Sequence, residues 1–138
     1  MPIQFDEVEK YVLKLFESKN DCFFAVYLKE NDEFIGTIKL GHIDWRAGIG
    51  DLGIMIGEKK YWGKGIGKDA MACIIKYGFE TLSLRKITAG TPSCNIGFIK
   101  CAEKLGFKIE GRLRKQILID GQFYDHILFG IFKKEFKI

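Results

Sequence analysis

Three glycines spaced by single residues, in the run Gly63-Lys64-Gly65-Ile66-Gly67, constrain this chain more than any other feature. They follow a short apolar stretch, 51–57, of strand length, and precede a stretch in which Ile66, Ala70, Cys73, Ile74 and Tyr77 share one helical face. Glycine removes the side chain, so backbone N–H groups can approach a ligand closely. A helix behind such a turn adds unsatisfied N–H donors and the positive end of its dipole, which makes phosphate or pyrophosphate the natural guest. The competing reading is a turn that only tightens a strand-to-helix link.

Two nucleotide motifs fail on spacing. A Walker A loop needs four residues between its first glycine and the Gly-Lys-Ser/Thr, whereas Gly63 and Gly67 enclose three, and Asp69 stands where a hydroxyl belongs. A dinucleotide fingerprint needs Gly-x-Gly-x-x-Gly after the first strand of a parallel sheet; this chain has Gly-x-Gly-x-Gly after hairpin-like strands.

A length of 138 residues suits one domain, 1–138, with a genuine core, and 47% hydrophobic with 29% charged residues reads as globular. No apolar run approaches the about 18–20 residues that cross a bilayer. The start Met1-Pro2-Ile3-Gln4-Phe5-Asp6-Glu7 has neither the basic beginning nor the apolar centre of a secretory signal, so a cytoplasmic protein without membrane attachment is expected. A net charge of +4 is too small and scattered to indicate nucleic acid. Cys22, Cys73, Cys94 and Cys101 form no Cys-x-x-Cys pair, and His42 and His126 stand apart, so no metal site is expected.

Helical spacing of Phe5, Val8, Val12, Leu15 and Phe16 predicts a helix over 6–18 that Asn20-Asp21 ends. Strands follow at 22–28, 34–40 and 51–57, the first two as a hairpin. After the glycine turn come a helix, a strand at 86–90, and a second helix introduced by Pro92 and Asn95 and closed by Gly106. Segments 107–119 and 122–132 flank Asp120-Gly121, a strong two-residue turn signal. The expected fold is a mixed α/β (α+β) domain.

At this point the sequence resembles the GNAT superfamily of acetyl-CoA-dependent N-acetyltransferases, from about Phe23 to Phe132. The run from Ile54 to Gly57, then Trp62-Gly63-Lys64-Gly65-Ile66-Gly67, is similar to the family's signature strand followed by Gln/Arg-x-x-Gly-x-Gly/Ala. Trp62 in place of Gln/Arg is similar to the branch of ribosomal-protein alanine acetyltransferases. Arg85-Lys86-Ile87, Asn95 and Glu103-Lys104-Leu105-Gly106-Phe107 form a second match in the right order. Glu110-Gly111-Arg112-Leu113-Arg114 and Asp120-Gly121-x-x-x-Asp125 resemble that branch and amino-sugar acetyltransferases.

The resemblance implies a mostly antiparallel sheet, splayed between strands 51–57 and 86–90, that binds acetyl-CoA as co-substrate. Backbone groups of Met55 and Gly57 would pair with the pantetheine arm, and an N–H near Met55 or Ile56 would hold the oxyanion. Amides from Gly63 through Lys68, including Gly65, Ile66 and Gly67, would hold the pyrophosphate beside Trp62, and Asn95 would bond the pantetheine or position the thioester. An amine acceptor, either an amino sugar or a peptide N-terminus, would react directly in a ternary complex; polyamine and antibiotic amines stay open.

Asp51 is the candidate base, against a solvated strand-end carboxylate. Ser93 is a candidate proton relay, against a helix cap. Ala102 stands where many relatives place a Tyr general acid, and the first strand and helix of the family have no counterpart before the helix at 6–18. The substrate side is therefore expected to be incomplete or rebuilt by a partner chain, with a homodimer as one form. Loop residues His42, Asp44, Trp45 and Arg46, and strand residues Tyr124 and Asp125, are further acceptor-facing candidates; Cys94 and Cys101 read as packing residues. The alternative function is a domain of this fold that holds acyl-CoA without catalysing transfer.

Overall fold

Residues 2–4, 10–17, 19–57 and 65–137 are described from a computed structural model. Strands β1 (Pro2–Gln4), β2 (Lys10–Glu17), β3 (Cys22–Leu28), β4 (Phe34–Asp44) and β5 (Ile49–Ile56) come first. Helix α1 (Ile66–Glu80), strand β6 (Lys86–Pro92), helix α2 (Ile96–Leu105) and strands β7 (Lys108–Ile119) and β8 (Gln122–Phe132) follow. Among the described residues the strands form one sheet in the order β1-β2-β3-β4-β5-β6-β8-β7. Neighbours run antiparallel except β5 and β6, which are parallel because α1 carries the chain back between them.

The helix expected over 6–18 is overturned where it can be seen: residues 10–17 are strand β2, paired with β3 from Lys10↔Leu28 to Glu17↔Cys22. Residues 5–9 lie outside the described residues. The physical reason is pairing. Strand β3 offers a free edge beside β2, and satisfying its backbone outweighs a helical period in a run rich in β-favouring residues.

Local chemistry sets the remaining boundaries. Asn95 accepts the Phe98 N–H on its side-chain oxygen at 3.2 Å and starts α2. Gly106 ends α2 at φ 107°, and the Phe107 N–H bonds the Ala102 carbonyl at 3.0 Å. Asp120 (φ 48°) and Gly121 (φ 78°) both take the left-handed conformation that a tight hairpin turn demands.

One sheet face carries the core. Met71, Ile74 and Ile75 of α1 are fully buried in one cluster with Leu40, Leu52 and Ile87 of the sheet. Helix α2 joins through Phe98, whose ring packs tilted against Phe129 of β8 with centroids 6.2 Å apart. Burial of each such side chain contributes about 1.5–3 kcal/mol. Both helices cover the same face, because Ala89 and Phe129 point with Ile87 and Leu52 while Asp51, Thr88 and Gly90 point the other way.

Candidate functional site

Strands β5 and β6 pair only from Ile49↔Lys86 to Leu52↔Ala89. Beyond that point β5 stays with β4 as far as Ile56, and β6 stays with β8 as far as Pro92. The strands part, leaving one edge of each open. The Gly57 N–H donates to the Ile35 carbonyl of the β4 side at 3.1 Å. Peptide groups alternate along an antiparallel ladder, so Met55 and Gly57 turn theirs to β4, and Ile54 and Ile56 turn theirs into the opening. Met55 and Gly57, the residues expected to pair with a pantetheine arm, thus commit their peptide groups to β4, and Ile54 and Ile56 are the ones turned to the opening. Met55 instead exposes its side chain (73%).

Helix α1 starts beyond the C-terminal end of β5. Gly65, its N-cap, has φ 79°, a conformation that side chains disfavour, and among the described residues beyond its chain neighbours no atom lies within 4 Å of where a Cβ would stand. The Gly65 carbonyl accepts the Asp69 N–H at 3.0 Å, and Gly65 itself brings no side chain to cap the turn. First-turn amides at Ile66, Gly67 and Lys68 are ones the helix itself cannot satisfy, which suits an anion. Trp62, Gly63 and Lys64 lie outside the described residues. The open β5 edge and this helix start fit the pantetheine arm and the pyrophosphate of acetyl-CoA respectively.

On the face opposite the helices lies a cavity of about 450 Å³ at the foot of the opening, lined by Asp51, Thr88, Gly90, Glu110, His126 and Leu128 among others. Asp51 accepts a 2.6 Å hydrogen bond from the Thr88 hydroxyl. Glu110 pairs with Lys86 at 2.9 Å and lies over Gly130. His126 lies over Gly90. Sequence reasoning placed Asp51 here and missed Glu110 and His126. A signal was present: Gly90 and Gly130 sit inside strands, where glycine marks a close approach by another group.

Other expected residues divide. Asn95 commits its oxygen to capping α2, leaving its NH₂ for a ligand. Ser93 does not cap a helix: its hydroxyl accepts the Asp125 N–H at 3.1 Å, and its own N–H donates to the Asp125 carbonyl at 2.8 Å. Asp125 is committed to Arg112 (2.6 Å) and the Lys115 N–H (2.9 Å), and the Tyr124 hydroxyl donates to Gln122.

The stretch of His42, Asp44, Trp45 and Arg46 spans the end of β4 and the turn into β5, at the other end of β5 from the opening: Asp44 pairs with Ile49, about 10 Å along the strand from Leu52 at 3.3 Å per residue. There Asp44 accepts the Arg46 and Ala47 N–H groups, and the Trp45 indole donates to Lys19. Burial pushes the Cys101 thiol above its ordinary value despite Lys104 and Lys68, which fits a packing residue. Among the described residues no cluster of His, Cys, Asp and Glu could hold a metal, and no helix is long and apolar enough to cross a membrane.

The family model described as an acetyltransferase (GNAT) domain matches residues 2–108. The uncharacterized N-acetyltransferase p20 of Bacillus licheniformis is 35% identical over 113 residues, covering 82% of this chain and 63% of that protein. The prophage-derived uncharacterized N-acetyltransferase YokL of Bacillus subtilis is 31% identical, covering 87% of this chain and 67% of its own length. The chain thus spans about two thirds of the relatives it matches. In fold it is similar to the crystal structure of spermidine N-acetyltransferase from Vibrio cholerae in complex with CoA and spermine. That match has a TM-score of 0.76 and 24% identity, covering 85% of this chain and 68% of that one; the same enzyme also has a dodecameric structure. On its sequence match and on the parted strands, this chain belongs to the GNAT acetyltransferase family.

Proposed function

We propose that residues 1–138 act as one domain that transfers the acetyl group of acetyl-CoA directly to a primary amine. The observation that carries this reading is the parting of β5 from β6 after Leu52↔Ala89, with the Ile54 and Ile56 peptide groups facing the opening. The pantetheine arm would lie there as an added strand. The pyrophosphate would rest on the amides at Gly65, Ile66, Gly67 and Lys68, and the sequence resemblance adds Trp62, Gly63 and Lys64 to the cofactor-binding residues. The NH₂ of Asn95 would reach the pantetheine. An N–H of Ile54 or Ile56 would hold the oxyanion, a role that typically accelerates such reactions by about 10²–10³. Ser93 would hold the acceptor side together through its ties to Asp125.

The amine would enter from the cavity face. Its carboxylates, Asp51 and Glu110, suit an ammonium group. That lining, and the spermine complex of the Vibrio cholerae neighbour, are reasons to test polyamines beside amino sugars and peptide N-termini as acceptors. The thiols Cys22, Cys73, Cys94 and Cys101 form no disulfide, which supports a cytoplasmic setting.

The test is release of CoA thiol from acetyl-CoA across a panel of amino sugars, peptides and polyamines. Saturable release with at least one amine is expected. Saturable acetyl-CoA binding without release on any amine would overturn transfer and leave a domain that only holds acyl-CoA.

A further inference from the structure

We propose that His126 takes the proton from the incoming ammonium group, an inference that rests on the acetyl-transfer reading above. Gly90 does not adopt a positive φ, so its backbone conformation does not require glycine. Space does. A Cβ at this position would stand 2.5 Å from Nε2 of His126, 3.3 Å from Cε1 and 3.4 Å from Cδ2. The imidazole edge thus lies on the β6 backbone, at the first residue beyond the last partner of β5, Ala89. A side chain at 90 would push the ring away from the foot of the opening, where a thioester lying along Ile54 and Ile56 would meet its acceptor.

The neighbouring strands bring further groups to this face of the sheet. Asp51 of β5 is held by Thr88, Lys86 of β6 is paired with Glu110 of β7, and Leu113 of β7 lies opposite His126. Further along the same face Lys39 covers Gly53 and Asp21 covers Gly41. Carboxylates such as Asp51 and Glu110 attract an ammonium group but are weak bases toward it. Imidazole is the side chain that exchanges protons between pH 5 and 8, and a base matched to the working pH is the most effective.

The step balances as follows. The imidazole lone pair takes one proton from R–NH₃⁺. The freed nitrogen pair forms the C–N bond, and the carbonyl pair moves onto oxygen. That pair then returns, the C–S bond breaks, and CoA leaves as a thiolate. The second nitrogen proton goes to the thiolate, and the imidazolium gives its proton to solvent, leaving the amide, CoA thiol and one proton.

The chain has two histidines, which makes the experiment clean. His126→Gln, His126→Ala, Gly90→Ala and the control His42→Gln are compared by pH–rate profiles of kcat/KM with an accepted amine, and by calorimetric titration with acetyl-CoA. We expect His126→Gln to lose about 10²-fold in kcat and the acid limb of the profile, with acetyl-CoA affinity unchanged. Added imidazole should restore part of the rate of His126→Ala, Gly90→Ala should fall in kcat, and His42→Gln should follow the parent protein. A His126→Gln variant with the parent rate and profile would overturn this role while leaving acetyl transfer standing. Absence of thiol release from the parent protein with every amine would overturn the transfer reading, and this inference with it.

Discussion

Replacing Gly78 with alanine sets two opposing effects against each other where α1 meets the sheet. Inside a helix, alanine is favoured over glycine by about 0.5–1 kcal/mol. The new Cβ would lie 2.9 Å from Leu40 Cδ2 and 2.9 Å from Ile87 Cδ1, with Leu84 Cδ1 at 3.5 Å. Leu40 and Ile87 are both 0% exposed, so their methyl groups can withdraw only into packed core. Overpacking of this kind costs about 1–3 kcal/mol. The net expectation is a loss of about 1 kcal/mol, or about 3–5 °C in Tm for a domain of this size. Urea and thermal unfolding followed by circular dichroism measure it. Lifting α1 also displaces its N-terminus from Ile54 and Ile56, so acetyl-CoA affinity should fall in the same variant. A Gly78→Ala protein more stable than the parent by about 1 kcal/mol, with unchanged affinity, would refute the close contact and the reasoning built on it.

Other perturbations are equally direct. Gly106→Ala combines a left-handed backbone (φ 107°) with a collision against the Glu135 carbonyl, and should cost about 2–4 kcal/mol in urea unfolding. The Lys115 N–H, and then Arg112, hold the Asp125 carboxyl below its ordinary value of 3.8. A lowered folded value means this contribution is present above the unfolded value and is lost as pH falls through the folded one. Stability should therefore drop on the acid side of about pH 4, and Asp125→Asn should remove that part of the pH dependence. Iodoacetamide at neutral pH should label exposed Cys94 before buried Cys101, with mass spectrometry reading the order. Leu118 (60% exposed) and Phe123 (59%) lie near the β7–β8 turn, and replacing both with serine should shift sedimentation of a self-associated form toward monomer.

What could be read from the sequence was what neighbouring residues decide among themselves. Asp120-Gly121, the Asn95 cap and the Gly106 stop all appear where expected, because each depends on a side chain or backbone conformation within a few residues. That a helix follows the glycine turn was legible for the same reason, and α1 begins inside the glycine run, at Ile66. Stretch 10–17 failed this test, since its apolar residues accommodate more than one period and β3, outside the window, selects the strand.

The candidate site divides along the same line. The sequence by itself determined that a glycine turn joins a strand to a helix, that both nucleotide motifs fail, and that the pattern is similar to one family. Tertiary structure decided which peptide groups of β5 are free, because the choice between Met55 and Ile54 depends on which edge β4 occupies. It also brought Glu110 and His126 from the last two strands into one cavity with Asp51; Gly90 and Gly130 mark a close approach, but only the assembled sheet says by which side chains. Local propensity acts over a few residues; a cavity is closed by backbone pairing between strands far apart in the chain, and pairing is satisfied only in the assembled sheet.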